Sequence, residues 1–391
     1  MAEIKTAYVV DALRTPLGRR NGALRGINPV DLLSGLMKET LTRNGVAPEQ
    51  VEDVIIGCVD QIGEQGANIA RNAWLSSGYP ETTPGVTVDR QCGSSLQAVQ
   101  FASSGIMSGM QNLVVAGGVE SMTRVPMFSN IETRGSPITD SLENRYSLGG
   151  KWFSQAAGAE MIAREFEISR EELDRLSLRS HVNAGDSSGH FKHEIVPVEV
   201  EDPSGPGEMK VMDTDEGVRR NTSLEKLASL KPAFEGLDLI TAGNSSQISD
   251  GASISVIASE NALSGHGLEP KAKIISLGAV GVDPVTMLKG PIPVTEKVLM
   301  KAGLEIDDID VFEVNEAFAP VVLAWQKHFD VPMGKLNPHG GAIALGHPLG
   351  ATGTRILATT LNTMMRDKKD RALIAICEGG GMANGAIVER V

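Results

Sequence analysis

Leu113-Val-Val-Ala-Gly-Gly118 and Leu373-Ile-Ala-Ile-Cys-Glu-Gly379 are the two stretches that decide how this chain folds. Each is a continuous aliphatic run closed by glycine, the pattern of a strand buried on both faces. Upstream of the first lie Val51-Glu-Asp-Val-Ile-Ile56, a Gly/Cys turn and a helical stretch from about 93 to 109. Upstream of the second lie Ile309-Asp-Val-Phe-Glu-Val314, a Gly/His turn and a helical stretch from about 351 to 365. Strand, helix, strand in this order predicts βαβ units and an α/β class. Its recurrence at so long a period predicts a duplicated domain rather than a solenoid.

Both helical stretches carry small or apolar residues at helical spacing. Ser95, Ala98, Ala102, Gly105 and Gly109 step by 3, 4, 3, 4; Ala351, Thr354, Ala358 and Leu361 step by 3, 4, 3. A helix that is small and apolar on most sides is buried. The two are expected to pack together at the centre with their N-termini in one place, and Cys92 precedes one while His347 precedes the other. Between the halves, residues 121–248 have a different composition, with the loop Asp202-Pro-Ser-Gly-Pro-Gly-Glu208 and a polar helix begun by Ile168-Ser-Arg-Glu-Glu172. Ser169 and Glu172 have capping-box spacing, and the helix is expected to reach about His181. An insertion this long predicts a lid or substrate-handling subdomain. The domain reading is therefore 1–120 as the N-terminal half, 121–248 as the insertion, 249–270 as the return of the first half, and 271–391 as the C-terminal half.

Composition narrows the function. At 391 residues, with 41% hydrophobic and 22% charged, the chain exceeds one ordinary core and is globular in type. A net charge of −13 without a Lys/Arg run argues against nucleic acid, so an anionic substrate needs a local basic site. Three cysteines with no CxxC pair suit free thiols in a reducing compartment and no metal. Residues 1–10 read as a first strand rather than a signal, and no apolar run approaches a bilayer span. A cytoplasmic enzyme is the expectation.

Cys92 lies in Asp89-Arg-Gln-Cys92-Gly-Ser-Ser95, at the start of a helix. The free N–H groups there are expected to lower its pKa toward neutrality and make it a nucleophile. A buried structural thiol is the competing reading; it suits Cys58, inside an apolar run, better than Cys92 among Asp, Arg, Gln and Ser. His347, in Gly346-His347-Pro-Leu-Gly350, reads as a base or a helix cap. The preceding glycines resemble a phosphate loop, but His stands where its Lys belongs. Cys377 runs into Gly379-Gly380-Gly381, whose bare amides suit an oxyanion hole. Asn315, directly after a strand, can hold a water or cap a turn. His190, Lys192 and His193 read as a solvated face, and no GxGxxG follows a strand.

Over essentially its full length the chain resembles the thiolase family. The resemblance rests on Arg14-Thr-Pro-Leu-Gly18, Cys92-Gly-Ser-Ser95, Gly117-Gly-Val-Glu-Ser-Met122 and Asn315-Glu-Ala-Phe318. It continues through Asn337-Pro-His-Gly-Gly-Ala342, Gly346-His-Pro-Leu-Gly-Ala-Thr-Gly353 and Cys377-Glu-Gly-Gly-Gly381. It implies a layered α-β-α-β-α fold with two mixed five-stranded sheets around central helices and an inserted loop domain over the active site. It also implies that Cys92 is acylated, that Cys377 is the second acid/base, and that His347 activates Cys92. His347 with a water on Asn315 would form one oxyanion hole, and the N–H groups of Cys92 and Gly379 another. Coenzyme A, the co-substrate, would meet Arg219 and Ser246, and no permanent cofactor is implied. The chemistry is cleavage of a 3-ketoacyl-CoA, in a homodimer or homotetramer, with other β-oxidation enzymes as candidate partners.

Three departures tilt this reading. Enzymes of the family that make acetoacetyl-CoA typically carry a Met before the segment matching Gln155-Ala-Ala-Gly-Ala-Glu160. They also differ at Asn244-Ser-Ser-Gln-Ile-Ser-Asp-Gly251 and commonly read Cys-Gly-Ser-Gly at the nucleophile. The expectation is therefore degradation of longer or bulkier ketoacyl chains. The alternatives are an acetyl-CoA C-acetyltransferase, a decarboxylating ketosynthase (disfavoured by Cys377), and a non-catalytic acyl-CoA carrier.

Overall fold

The strands, in chain order, are β1 (Ala7–Arg14), β2 (Gly18–Arg19), β3 (Asp53–Gly57), β4 (Gly85–Val88), β5 (Leu113–Ser121), β6 (Val198–Glu201), β7 (Met209–Met212), β8 (Ser249–Ser259), β9 (Ala272–Gly281), β10 (Val311–Val314), β11 (Arg371–Glu378) and β12 (Met382–Arg390). The computed structural model describes residues 5–132, 135–202, 205 and 207–391. Residues 1–4 of the expected first strand, and 203, 204 and 206 of the expected loop, lie outside the described residues.

The duplication is visible in the ladder. On the N-terminal side β4, β3 and β5 run parallel, then β8 pairs antiparallel to β5 and β1 antiparallel to β8. On the C-terminal side β10 and β11 run parallel, β12 pairs antiparallel to β11, and β9 antiparallel to β12. Among the described residues the two series meet at β1 and β9 through Tyr8↔Lys273 and Val9↔Ala272, which joins the expected two mixed sheets into one ladder.

The C-terminal sheet has four full strands where five were expected. Its fifth place is a single parallel bridge, Phe312↔Leu336. The cause is Asn337, whose φ of 43° turns the chain out of the extended region. Its side chain pairs in place of a backbone: Oδ1 accepts from Val314 N at 2.9 Å and Nδ2 donates to Val314 O at 2.9 Å.

Side-chain alternation along the strands builds the layers. Val54 and Ile56 face an outer cluster with Leu33, Leu36 and Trp74, while Ile55 between them faces inward. Phe312 and Val314 likewise face an outer cluster with Val298 and Trp325, and Val311 faces inward. The inner cluster holds Leu96, Ala98 and Ala102 of the helix Ser94–Met107 with Ile356, Ala358 and Leu361 of the helix Thr352–Asp367. Both helices start within two residues of their expected positions. Their first turns touch: Thr354 N donates to Ser95 Oγ at 3.0 Å, and a Cβ at Gly353 would sit 2.3 Å from Leu96 N. The small residues permit this approach, and the layered α-β-α-β-α architecture follows from it.

The segment between β5 and β8 contains helices Asp140–Tyr146, Gln155–Glu165 and Arg170–Asp186 and the β6–β7 hairpin. Ser169 and Glu172 form the capping box expected of them. The helix runs past the predicted end near His181 because Ser180, His181, Ala184 and Gly185 are buried. Arg14, fully buried, anchors this segment to β1 by ion pairs to Glu194 (2.6 Å) and Asp215 (2.7 Å). Removing one partner of such a buried pair costs about 3–5 kcal/mol. Among the described residues no helix is long and apolar enough to cross a membrane.

Candidate active site

The turn bearing Cys92 is set by Gln91, which takes a φ of 48° although it has a side chain. Residues held in this region cost about 1–3 kcal/mol and persist where the surroundings enforce them. Here Ser94 enforces the turn: its Oγ accepts from Arg90 N at 2.9 Å and donates to Gln91 O at 2.6 Å. Asp89 Oδ1 accepts from Gln91 N at 2.7 Å. The thiol of Cys92 is thereby buried at the helix start, 2% exposed.

Cys377, fully buried, is next to the last residue of β11. The two sulfurs are neighbours, close enough that the charge of Cys92 raises the pKa of Cys377, and the Gly379 N–H hydrogen-bonds the Cys92 sulfur. The register of β11 against β12 ends at Glu378↔Met382, so Gly379-Gly380-Gly381 forms the hairpin turn, with φ of 76° at Gly380 and Gly381. These glycines leave amides beside the sulfur that no Cβ shields.

His347 is held from several sides. Its N–H donates to Gln247 O (3.1 Å) and Ser249 Oγ (3.2 Å). Its Nδ1 lies 2.7 Å from Thr352 Oγ1, which already donates its proton to Pro348 O at 2.8 Å. Thr352 therefore accepts, Nδ1 carries the imidazole proton, and Nε2 keeps its lone pair. Nε2 faces Asn315 Nδ2 at 3.5 Å, and Asn315 Oδ1 is buried without a partner among the described residues. Asn315 itself is placed by its N–H donating to Ala375 O at 3.0 Å, two residues from Cys377.

The electrostatics correct one expectation. The Cys92 thiol is not brought toward neutrality; burial, then the nearby Glu378, push it up to about 12 against the Gly379 and Cys92 amides. Loss of water outweighs a few amide dipoles. Burial likewise pushes Cys377 well above the usual thiol range and, with Arg355 adding to it, holds His347 down to about 3. The site thus combines two protonated thiols with a neutral imidazole whose Nε2 can take a proton. A nucleophile of this kind ionises as it attacks, which requires a base.

Arg219 and Ser246 belong to the segment ahead of β8. Arg219 is exposed and, with Arg220 and Lys226, lines an open basic groove of about 540 Å³. Ser246 N donates to Ala317 O at 2.9 Å, which ties it to the Asn315 segment. Its neighbour Gln247 links the two regions through Nε2 to Gly217 O (2.9 Å) and Ile343 O (2.9 Å). A second cavity, of about 530 Å³, opens at Gly379 and Gln91 and is lined by Met127, Phe128, Trp152, Phe153 and Phe318 among others. Among the described residues no group of three His, Cys, Asp or Glu is arranged to hold a metal.

Sequence reading missed Thr352, Gln247 and Glu378 as parts of this site. Thr352 had a signal in its place five residues after His347, at a helix start; Gln247 had none.

The description "Thiolase, N-terminal domain" matches residues 7–261 and "Thiolase, C-terminal domain" residues 268–390. The chain belongs to the thiolase family. As a thiolase it is an acyltransferase, and its relatives are similar over their whole length. A steroid 3-ketoacyl-CoA thiolase of Mycobacterium tuberculosis is 50% identical, with 100% of this chain and 95% of that one covered. A 3-ketoacyl-CoA thiolase of Aliivibrio fischeri is 42% identical over 99% and 100%. The crystal structure of an acetyl-CoA acetyltransferase of Bacillus anthracis superposes with a TM-score of 0.91, at 34% identity and 100% coverage of both chains.

Proposed function

We propose that this thiolase cleaves 3-ketoacyl-CoA with coenzyme A, giving acetyl-CoA and a shortened acyl-CoA. The carrying observation is the Gly379 N–H on the Cys92 sulfur with Cys377 coupled to it, while the His347–Asn315 pair is tied to the Cys377 strand by Asn315 N–H on Ala375 O and the two helix starts are joined by Thr354 N–H on Ser95 Oγ. His347 Nε2 takes the Cys92 proton as the sulfur attacks C3. The oxyanion formed there is met by the N–H groups of Cys92 and Gly379, or by the imidazolium with a water held on Asn315 Oδ1. The C2–C3 bond breaks, and the leaving enolate takes the Cys377 proton to become acetyl-CoA. The Cys377 thiolate then deprotonates coenzyme A, whose sulfur attacks the acyl-Cys92 carbonyl. Cys92 leaves as a thiolate and is reprotonated by His347, so each group returns to its first state.

Residues 121–248 act as the loop domain over the site, with Arg219 and Ser246 meeting coenzyme A; the basic groove supplies cations for its phosphates. The aromatic cavity at Gly379 supports a long or ring-bearing acyl group, in keeping with the steroid in the name of the mycobacterial relative. A second copy of the chain suits the edge strand β4, where Val86 is 42% exposed; the enzyme works as a homodimer or homotetramer in the cytoplasm. Intact-protein mass after mixing with substrate tests the mechanism: an acyl adduct is expected in the native enzyme and absent in Cys92→Ala. An unmodified native enzyme defeats it. The alternative, an acetyl-CoA acetyltransferase making acetoacetyl-CoA, is separated by comparing kcat/KM for acetoacetyl-CoA and a long-chain ketoacyl-CoA.

A further inference from the structure

Glu378 follows Cys377 and is fully buried, yet among the described residues both carboxyl oxygens lack a hydrogen-bond partner. It forms no ion pair among the described residues. A buried carboxylate in that state is far too costly, so such a group normally neutralises.

Its surroundings identify where a proton would go. The β11–β12 register sets Ile376 opposite Asn384 and Glu378 opposite Met382, which puts Glu378 and Asn384 diagonally on one face. That face meets the start of the helix behind Cys92. A Cβ at Gly93 would lie 1.9 Å from Glu378 Oε1 and 2.7 Å from Asn384 Oδ1, so both oxygens crowd the space that the glycine leaves. Asn384 is oriented by Nδ2 donating to Gly93 O at 2.9 Å, and its Oδ1 is buried without a partner. Two unpartnered acceptors facing one gap are reconciled by a single carboxyl proton.

We propose that Glu378 is a positioning residue held as the neutral acid, its proton donated to Asn384 Oδ1. The pair grips the Cys92 turn at Gly93 without setting an anion beside the thiol. This rests on Cys92 being the nucleophile. The charged and titratable groups facing Glu378 are Asp89, Arg90 and Cys92 from the nucleophile turn and Cys377 from its own strand. Arg90 spends Nη1 on Met382 Sδ at 3.9 Å and leaves Nε buried without a partner. Burial, with Asp89 adding to it and Arg90 opposing, pushes the carboxyl up to about 9. Its charge is what adds to burial in raising the Cys92 pKa, so that contribution appears only once it is ionised, and acylation falls as pH passes that value.

Infrared difference spectroscopy of the native enzyme against Glu378→Gln reads the acid directly and needs no turnover. The protonated-carboxyl carbonyl band is expected at pH 7, missing in the variant and bleaching as pH rises through about 9. In parallel, the rate of acyl-Cys92 formation is followed against pH by mass. The native enzyme should show the alkaline fall and Glu378→Gln should not. Glu378→Leu, lacking any donor, should lose about tenfold in kcat with KM little changed, and Glu378→Gln should restore most of that loss. Absence of the band at pH 7 in folded native enzyme overturns the proposal, as does an alkaline fall unchanged in Glu378→Gln. Absence of acylation in native enzyme that shows the band would instead defeat the thiolase mechanism.

Discussion

The two central helices begin alike and are equipped differently. Ahead of Ser94–Met107 stands a thiol on a turn strained at Gln91, with Glu378 facing the helix start. Ahead of Thr352–Asp367 stands an imidazole whose proton is fixed by Thr352, with Asn315 at its other nitrogen. Duplication supplied one scaffold twice and brought both helix starts to one place. Neither half is a site alone, because one holds a weak acid that must lose a proton and the other holds the base that takes it.

Removing one side should break this division of labour most severely on the thiol side. Cys92→Ala is expected to lower kcat on the order of 10⁴-fold or more, read as steady-state thiolysis. His347→Ala should cost about 10²–10⁴-fold, read the same way, with acyl-enzyme formation rather than KM carrying the loss. A smaller change sharpens the contrast: Thr352→Val frees the imidazole to take either tautomer and should lower kcat by about fivefold, the worth of one hydrogen bond. For the scaffold, Gly353→Ala places a methyl against the Leu96 backbone. It should destabilise by about 1–3 kcal/mol in denaturant titration, since the helices must part.

The smallest effect is on pH dependence. The folded pKa of His347 lies near 3, below its unfolded value of about 6.5, so the unfolded chain binds the proton more readily. Its contribution to stability is present above pH 6.5 and is lost as pH falls through that window toward 3. His347→Gln should therefore lose less stability than the native chain between those values, measured as midpoints at each pH. Equal losses would show that His347 is not buried neutral.

Much of this was legible from the chain itself. The aliphatic runs at 113 and 373 gave the buried strands, and the small-residue steps in the two helices gave their close packing. Asn315, His347 and the two cysteines stood out by their glycine and strand-end settings. What could not be read depends on neighbours distant in sequence. The helix start at Cys92 promised an acidic thiol, but desolvation, a property of the closed fold, dominates. Nothing in the sequence singles out Glu378, because its partner Asn384 is set on the same face only by the β11–β12 register. The missing fifth strand depended on a single residue, Asn337, adopting a left-handed turn.

The order in which the strands join has a consequence for biosynthesis. β1 is made first, yet its ladder partners are β8 and β9, which begin at Ser249 and Ala272. At ribosomal speeds of about 5–20 residues per second, that strand waits on the order of tens of seconds before either partner emerges. Throughout that interval Val9, Val10 and Leu13 have no sheet to cover them, so this half of the core cannot close until the chain is about two-thirds made.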